Sequence, residues 1–176
     1  QKIRLKFDGA MMNASVDING CKVAHKNYGY APFYVDLTPY VAFGQENRIT
    51  VNLNTGSASN SRWYTGLGLY RGVQLCRAPK VYIPDDGIYA YTNEVADGFA
   101  FVKTQIEVAN DTGENRVVEV CVELRDDSGT VSAGTKTSIY VAANSCEKAY
   151  LSINLKNPKL WDCDNPNLYT LKATVK

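Results

Sequence analysis

A period-two alternation of apolar and polar residues, interrupted about every ten residues by Gly, Asn, Asp or Pro, constrains this chain more than any other feature. Ile3, Leu5 and Phe7 alternate with Lys2, Arg4 and Lys6, the mark of a half-buried strand. Ser15-Val16-Asp17-Ile18 alternates again, and Asn19-Gly20 then supplies the positive-φ pair of a tight hairpin whose return strand is Cys21–His25. Further extended runs fall at Phe33–Leu37 and at Arg48–Leu53, with a single turn at Pro39-Tyr40-Val41 between them. Helical periodicity is almost nowhere visible. Closely spaced strands without βαβ spacing imply an antiparallel, all-β chain of sandwich type.

At 176 residues the chain has room for one large or two small domains. Residues 78–84 read as a crossing segment. After it strands recur at Ile88–Thr92, Phe99–Val108, Arg116–Leu124, Thr135–Val141, Lys148–Leu155 and Leu168–Val175. Asn110-Asp111-Thr112-Gly113 and Asp126-Asp127-Ser128-Gly129 are turn sequences, with glycine for positive φ and Asx side chains for local backbone bonding. About seven strands in this half match the size and rhythm of an immunoglobulin-like sandwich, although the Cys-Trp-Cys pattern of antibody domains is missing.

One stretch carries chemistry. In Asn60-Ser61-Arg62-Trp63-Tyr64-Thr65-Gly66-Leu67-Gly68-Leu69-Tyr70-Arg71, a polar loop runs into two large rings beside an arginine. Rings next to hydrogen-bonding groups suit a sugar, whose CH face packs on an aromatic while its hydroxyls take donors and acceptors. The competing reading makes Trp63 and Tyr64 plugs under a loop and Arg62 a surface charge. Tyr28, Tyr30, Tyr34, Tyr40, Tyr64 and Tyr70 also enrich this half in aromatics; they fit a sugar platform, or simply strands.

The stretch from Ser61 to Leu75 resembles the end of the sugar-binding domain of glycoside hydrolase family 2, the β-galactosidase, β-mannosidase and β-glucuronidase group. Phe7-Asp8-Gly9-Ala10, Val16–Gly20, His25 with Gly29–Thr38, and Pro158-x-Leu160-Trp161 with Pro166-x-Leu168-Tyr169-x-Leu171 resemble further family segments, in the same order. The resemblance implies a galactose-binding-like jelly roll, truncated upstream, at residues 1–80, and an immunoglobulin-like β-sandwich at residues 81–176. Pro158–Leu171 would hold the last strand pair of the latter. It also implies that the two catalytic glutamates sit on a following (β/α)₈ barrel, which would be the chain's main partner. Asn60, Ser61, Arg62 and Trp63 would then form one edge of the sugar subsite and orient hydroxyls without doing bond chemistry. The parent reaction would be retaining hydrolysis of a terminal β-glycoside. Ser-Arg-Trp-Tyr with Gly-Leu-Tyr-Arg favours a β-galactoside, while β-mannoside and β-glucuronide specificity stay open. A stand-alone carbohydrate-binding module and a purely structural tandem of sandwiches are the readings from other classes.

Other functions find little support. The net charge of +1 offers no electrostatic case for nucleic acid or an acidic membrane, and no apolar run approaches a membrane span. The chain starts at Gln1, which suits an excised or processed piece. Retaining glycosidases place two carboxylates about 5 Å apart, but Glu46, Glu94, Glu107, Glu114, Glu119, Glu123 and Glu147 all read as solvated surface. Asp85-Asp86 and Asp126-Asp127 read as plain turns more than as calcium sites. His25 has no nucleophile or acid at a telling spacing. No cofactor and no metal are expected. Cys21, Cys76, Cys121, Cys146 and Cys163 are dispersed and read as mostly buried thiols, with a Cys121–Cys146 disulfide the less favoured option. The compartment stays open, a periplasmic or secreted setting being favoured over the cytoplasm. An unsatisfied sandwich edge would also allow pairing with another copy of the chain.

Overall fold

A computed structural model of the chain describes residues 1–56 and 66–176. The chain is all-β: among the described residues there are thirteen strands and no α-helix. It divides into two compact units, Gln1–Pro79 and Lys80–Lys176.

The first unit carries β1 (Lys2–Phe7), β2 (Ala14–Ile18), β3 (Cys21–Lys26), β4 (Phe33–Asp36), β5 (Ile49–Asn52) and β6 (Val73–Ala78). They form two antiparallel three-stranded sheets, ordered β4-β1-β6 and β3-β2-β5. The alternation read from the sequence is the burial pattern observed. Ile3, Leu5 and Phe7 point into the core against Val16 and Ile18 of the other sheet. Phe7 is fully buried and stacks on Phe33 with ring centroids 4.7 Å apart. Asn19 (φ 50°) and Gly20 (φ 83°) make the β2–β3 turn, as the Asn-Gly pair requires. The single turn at residues 38–40 is closed by Tyr40 N–H donating to Leu37 O at 2.9 Å.

The core of this unit is uncovered at two edges. Val73 and Leu75 of β6 lie opposite Phe7 and Leu5, so they share the core-facing side, yet they are 42% and 61% exposed. Ile49 of β5 lies opposite the fully buried Ile18 and is 39% exposed.

The second unit contains β7 (Val81–Tyr82), β8 (Ile88–Ala96), β9 (Phe99–Asn110), β10 (Arg116–Arg125), β11 (Val131–Val141), β12 (Ser145–Lys156) and β13 (Thr170–Val175). One sheet is ordered β12-β9-β7 with β8 also on β9; the other is β11-β10-β13. Ile106, Val108, Val120, Val122, Val141 and Ile153 form the centre of the core between them. The β8–β9 hairpin turns on Asp97 (φ 50°) and Gly98 (φ 78°), a legible Asp-Gly signal that lengthens β8 beyond Thr92.

Three sequence expectations change. The Asp126–Gly129 turn does use glycine at positive φ (Gly129, 82°), but Gly113 does not adopt it. There the side chain of Asn110 shapes the turn instead, its Oδ1 accepting from Thr112 N–H at 3.0 Å. Residues 158–169 are not strand but a loop with one isolated bridge, Trp161–Pro166, knitted by Asp162 and Asn167, and of the expected strand pair only Thr170 and Leu171, the start of β13, are in a strand. The cysteines are not mostly buried. Cys21, Cys146 and Cys163 are exposed, Cys76 and Cys121 half-buried, and all five are free. The reason lies in strand parity: Cys121 and Cys146 alternate with the buried Val120, Val122 and Ala149 series and so face outward.

Candidate functional site

Asn60, Ser61, Arg62 and Trp63, the proposed edge of a sugar subsite, lie outside the described residues, as does Tyr64. What is described is the ground on either side of that segment. On the upstream side, Asn54 N–H donates to Met12 O at 3.0 Å and Asn13 Nδ2 donates to Asn54 O at 3.0 Å. On the downstream side, Gly68 and Met11 exchange both backbone bonds, at 3.0 and 3.1 Å. Both sides are thus tied to the Met11–Asn13 stretch between β1 and β2.

Beside this anchor stand three of the tyrosines. Tyr28 and Tyr30 are exposed with ring centroids 5.7 Å apart, and Tyr30 meets the edge of Tyr70 at 6.4 Å. Tyr70 OH donates to Gly29 O at 3.1 Å, which fixes the ring, and the Arg71 guanidinium lies over it, 5.4 Å from its centroid. The close packing needs small residues: a Cβ on Gly9 would come within 2.8 Å of the Tyr70 hydroxyl, and one on Gly29 within 2.7 Å of Met11 Sδ. Asp8 completes the patch. It pairs with Lys6 at 3.1 Å and raises the Lys6 ammonium above its usual range. Aromatic faces, an arginine, and a carboxylate–ammonium pair in one patch present both a stacking surface and groups for hydroxyls.

Sequence reading found the tyrosines without telling which ones meet. The structure brings Tyr28, Tyr30 and Tyr70 together; Tyr34 is half-buried on β4 and Tyr40 sits apart, its carbonyl accepting from Asn19 Nδ2. Arg71 entered only as the end of the Gly-Leu-Tyr-Arg motif and Gly29 only as the start of the Gly29–Thr38 segment, neither with a role in the patch. Their signal is weak, because a glycine packed on a methionine looks no different in sequence from a loop glycine.

The remaining polar candidates lie in ion pairs, in turns or at exposed strand positions. Glu119 and Glu123 are held below the usual carboxylate range, the first by its hydrogen bond with Lys136, the second by that with Arg125. Burial and the nearby Glu119 carboxylate push the Cys121 thiol up. Asp126 accepts from Ser128 Oγ at 2.6 Å and from the backbone of Ser128 and Thr130, and these bonds hold its carboxyl low. Its Oδ1 is committed to the turn. His25 is exposed on β3 opposite Ser15. Among the described residues no group of three or more His, Cys, Asp or Glu side chains is arranged to hold a metal ion.

Two consecutive antiparallel β units, the first bearing a tyrosine–arginine patch, define an all-β chain of sandwich type with a polar–aromatic surface. Residues 81–176 match the family model for glycosyl hydrolases family 2, and the chain belongs to that family. It is 36% identical over 172 residues to a β-galactosidase from Bacteroides ovatus, and 26% identical over 196 residues to a β-glucuronidase from Formosa agariphila. These alignments take in 98% and 100% of the chain, which spans about a fifth of each relative's length (20% in both). Among solved structures, a glycosyl hydrolase family 2 member from Bacteroides cellulosilyticus superposes with a TM-score of 0.95 at 30% identity, over 99% of this chain and 24% of that one.

Proposed function

We propose that this chain is a non-catalytic accessory part of a retaining glycoside hydrolase that hydrolyses terminal β-glycosides in carbohydrate metabolism. Residues 1–80 supply the closing part of a sugar-binding jelly roll and residues 81–176 an immunoglobulin-like sandwich, with the chemistry carried by a catalytic barrel of the same polypeptide. Asn60, Ser61, Arg62 and Trp63 form one edge of the sugar subsite. The observation that carries this reading is the patch of Tyr28, Tyr30, Tyr70 and Arg71 beside Asn54 and Gly68, which are tied to Met11 and Met12. The exposed core-facing Val73, Leu75 and Ile49 support the idea that strands from elsewhere in the polypeptide complete the first sandwich. A β-galactoside is the preferred substrate; the β-glucuronidase relative gives a β-glucuronide specific standing as the alternative.

The test is made on the full-length enzyme. Trp63→Ala and Arg62→Ala are expected to raise KM for aryl β-galactosides at least tenfold, because a lost stacking or charged contact to a sugar is worth roughly 1.4 kcal/mol or more. The 176-residue chain alone is expected to bind galactose no tighter than millimolar, since most pocket walls are elsewhere. Unchanged kinetics in both variants, or submillimolar binding by the chain alone, would overturn the reading in favour of a self-sufficient binding module.

A further inference from the structure

The outward face of the β8-β9-β12 sheet carries an aromatic cluster that takes no part in the core. Strand parity sets the face. Thr104 and Ile106 of β9 and Ala149, Leu151 and Ile153 of β12 are buried, so the alternating Lys103, Gln105, Tyr150 and Ser152 point the other way. Pairing carries the same face onto β8. One row across the three strands is Tyr89–Gln105–Tyr150, and the next is Tyr91–Lys103–Ser152. The rings of Tyr89 and Tyr91 lie 5.6 Å apart between centroids. These six side chains line a cleft of about 360 Å³, a size that suits a small ligand or part of a larger one.

The outer face of such a sheet is ordinarily polar. Tyrosine is a good strand residue, and rings packed flat on their neighbours would need no further account. Here Tyr89, Tyr91 and Tyr150 stay 59%, 47% and 71% exposed. Nor do they join into an apolar patch. Lys103, Gln105 and Ser152 stand among them, and Leu151, the aliphatic residue in the cleft lining, is buried. A docking protein covers a contiguous apolar centre; this face instead offers separate ring faces with hydrogen-bonding groups between. That alternation matches linked sugars, each with a CH face for a ring and hydroxyls at its rim. Lys103 Nζ donates to Ser152 Oγ at 2.9 Å. An ammonium has three donors, and an amide such as that of Gln105 both donates and accepts. Tyr89 and Tyr150 stand two strand spacings apart, roughly 9.5 Å, which is the reach of two consecutive hexose residues.

We infer that this face is a carbohydrate-binding site separate from the Tyr28–Tyr70 patch. It takes an extended β-linked hexose chain laid across the strands, stacked on the Tyr89–Tyr91 pair and on Tyr150. Lys103 and Gln105 bond hydroxyls between the stacked residues. An extended β-linked chain suits the site because it keeps successive sugar faces in one ribbon, as rings standing on a sheet require. The site holds a glycan and does not cleave it. It lies wholly within the second unit and uses no residue of the 60–63 segment, so it stands independently of the sugar subsite proposed there.

Cellohexaose and a β-linked galactohexaose, titrated into the isotope-labelled 176-residue chain and followed by NMR, test it. Low-millimolar binding of at least one is expected, with amide shifts centred on Tyr91, Lys103, Gln105 and Tyr150. Tyr89→Ala and Tyr150→Ala should each weaken binding about fivefold or more, and Tyr150→Phe less than about twofold, because the ring face makes the contact. In the full-length polypeptide the same alanine variants should lower retention on the immobilised hexaose and leave KM for an aryl β-galactoside unchanged; Trp63→Ala, which probes the first unit, should raise that KM instead. No shifts with sugar at about 20 mM, shifts confined to the Tyr28–Tyr70 patch, or unchanged affinity in both alanine variants would overturn the proposal. So would full-length retention that neither variant alters, since the face would then be covered by another part of the protein.

Discussion

Asn110 is the polar residue whose replacement should cost most. Its side chain, on the last residue of β9, is fully buried. Nδ2 donates to Glu114 O at 2.9 Å, Ala142 O at 3.0 Å and Val141 O at 3.2 Å; Oδ1 accepts from Thr112 N–H at 3.0 Å and Thr112 Oγ1 at 2.6 Å. One amide therefore ties the end of β9 to the following turn and to the end of β11. Asn110→Ala strands these partners, and each buried group left unmet costs about 1–3 kcal/mol. Some of the carbonyls border the surface and will find water, so a total near 3–4 kcal/mol is expected. That is a large part of the roughly 5–15 kcal/mol a domain has, and corresponds to a fall in Tm of roughly 15–25 °C for a unit of this size. Urea denaturation followed by far-UV circular dichroism measures it. Asn110→Asp adds a diagnostic that simple cavity formation lacks. A carboxylate facing three carbonyl oxygens is disfavoured, so its folded pKa is raised above the unfolded value near 4. The extra destabilisation is therefore absent below about pH 4 and grows as pH rises through the folded pKa. A loss under about 1 kcal/mol in Asn110→Ala, or a pH-independent deficit in Asn110→Asp, would refute the reasoning.

Two smaller effects follow from the same geometry. Burial raises the Asp36 carboxyl, but its hydrogen bonds with Lys2 (2.8 Å to Nζ) and Thr38 outweigh that and hold it below the usual range. Its contribution is thus present above about pH 4 and lost as pH falls through the lowered folded value; Asp36→Asn should flatten that part of the acid limb, by less than about 1 kcal/mol for so exposed a pair, in urea melts between pH 2 and pH 7. Gly134 lies opposite Glu123, and a Cβ there would sit 2.9 Å from the Val122 carbonyl oxygen. Gly134→Ala should push β11 off β10 and lower stability by about 1–3 kcal/mol in the same assay.

What the sequence discloses and what it hides divide along physical lines. Strands with one buried face, such as β1 and β2, write their parity into the sequence, because each inward position must be apolar and each outward one need not be. The Asn19-Gly20 hairpin is legible for a comparable local reason, since few other pairs accept two positive φ angles. The cysteines failed as a guide because their outward parity is a property of register, and register is set by partners far along the chain. Gly113 failed because a neighbouring side chain, Asn110, already satisfied the turn that a glycine would otherwise shape.

The edges of the two units bring these cases together. β8 reads Ile88-Tyr89-Ala90-Tyr91-Thr92, with bulky residues on both faces, so its alternation cannot name an inner side; only its pairing with Ile106 and Thr104 does. Once that side is known, the exposure of Ile88 and Val95 becomes informative, because a residue can be core-facing by register and still lack a core over it. The same mismatch marks Val73, Leu75 and Ile49 in the first unit. Scattered exposed hydrophobes are ordinary on any surface. Exposed hydrophobes at the core-facing positions of edge strands say more, because register puts them on the side of the sheet that elsewhere is buried.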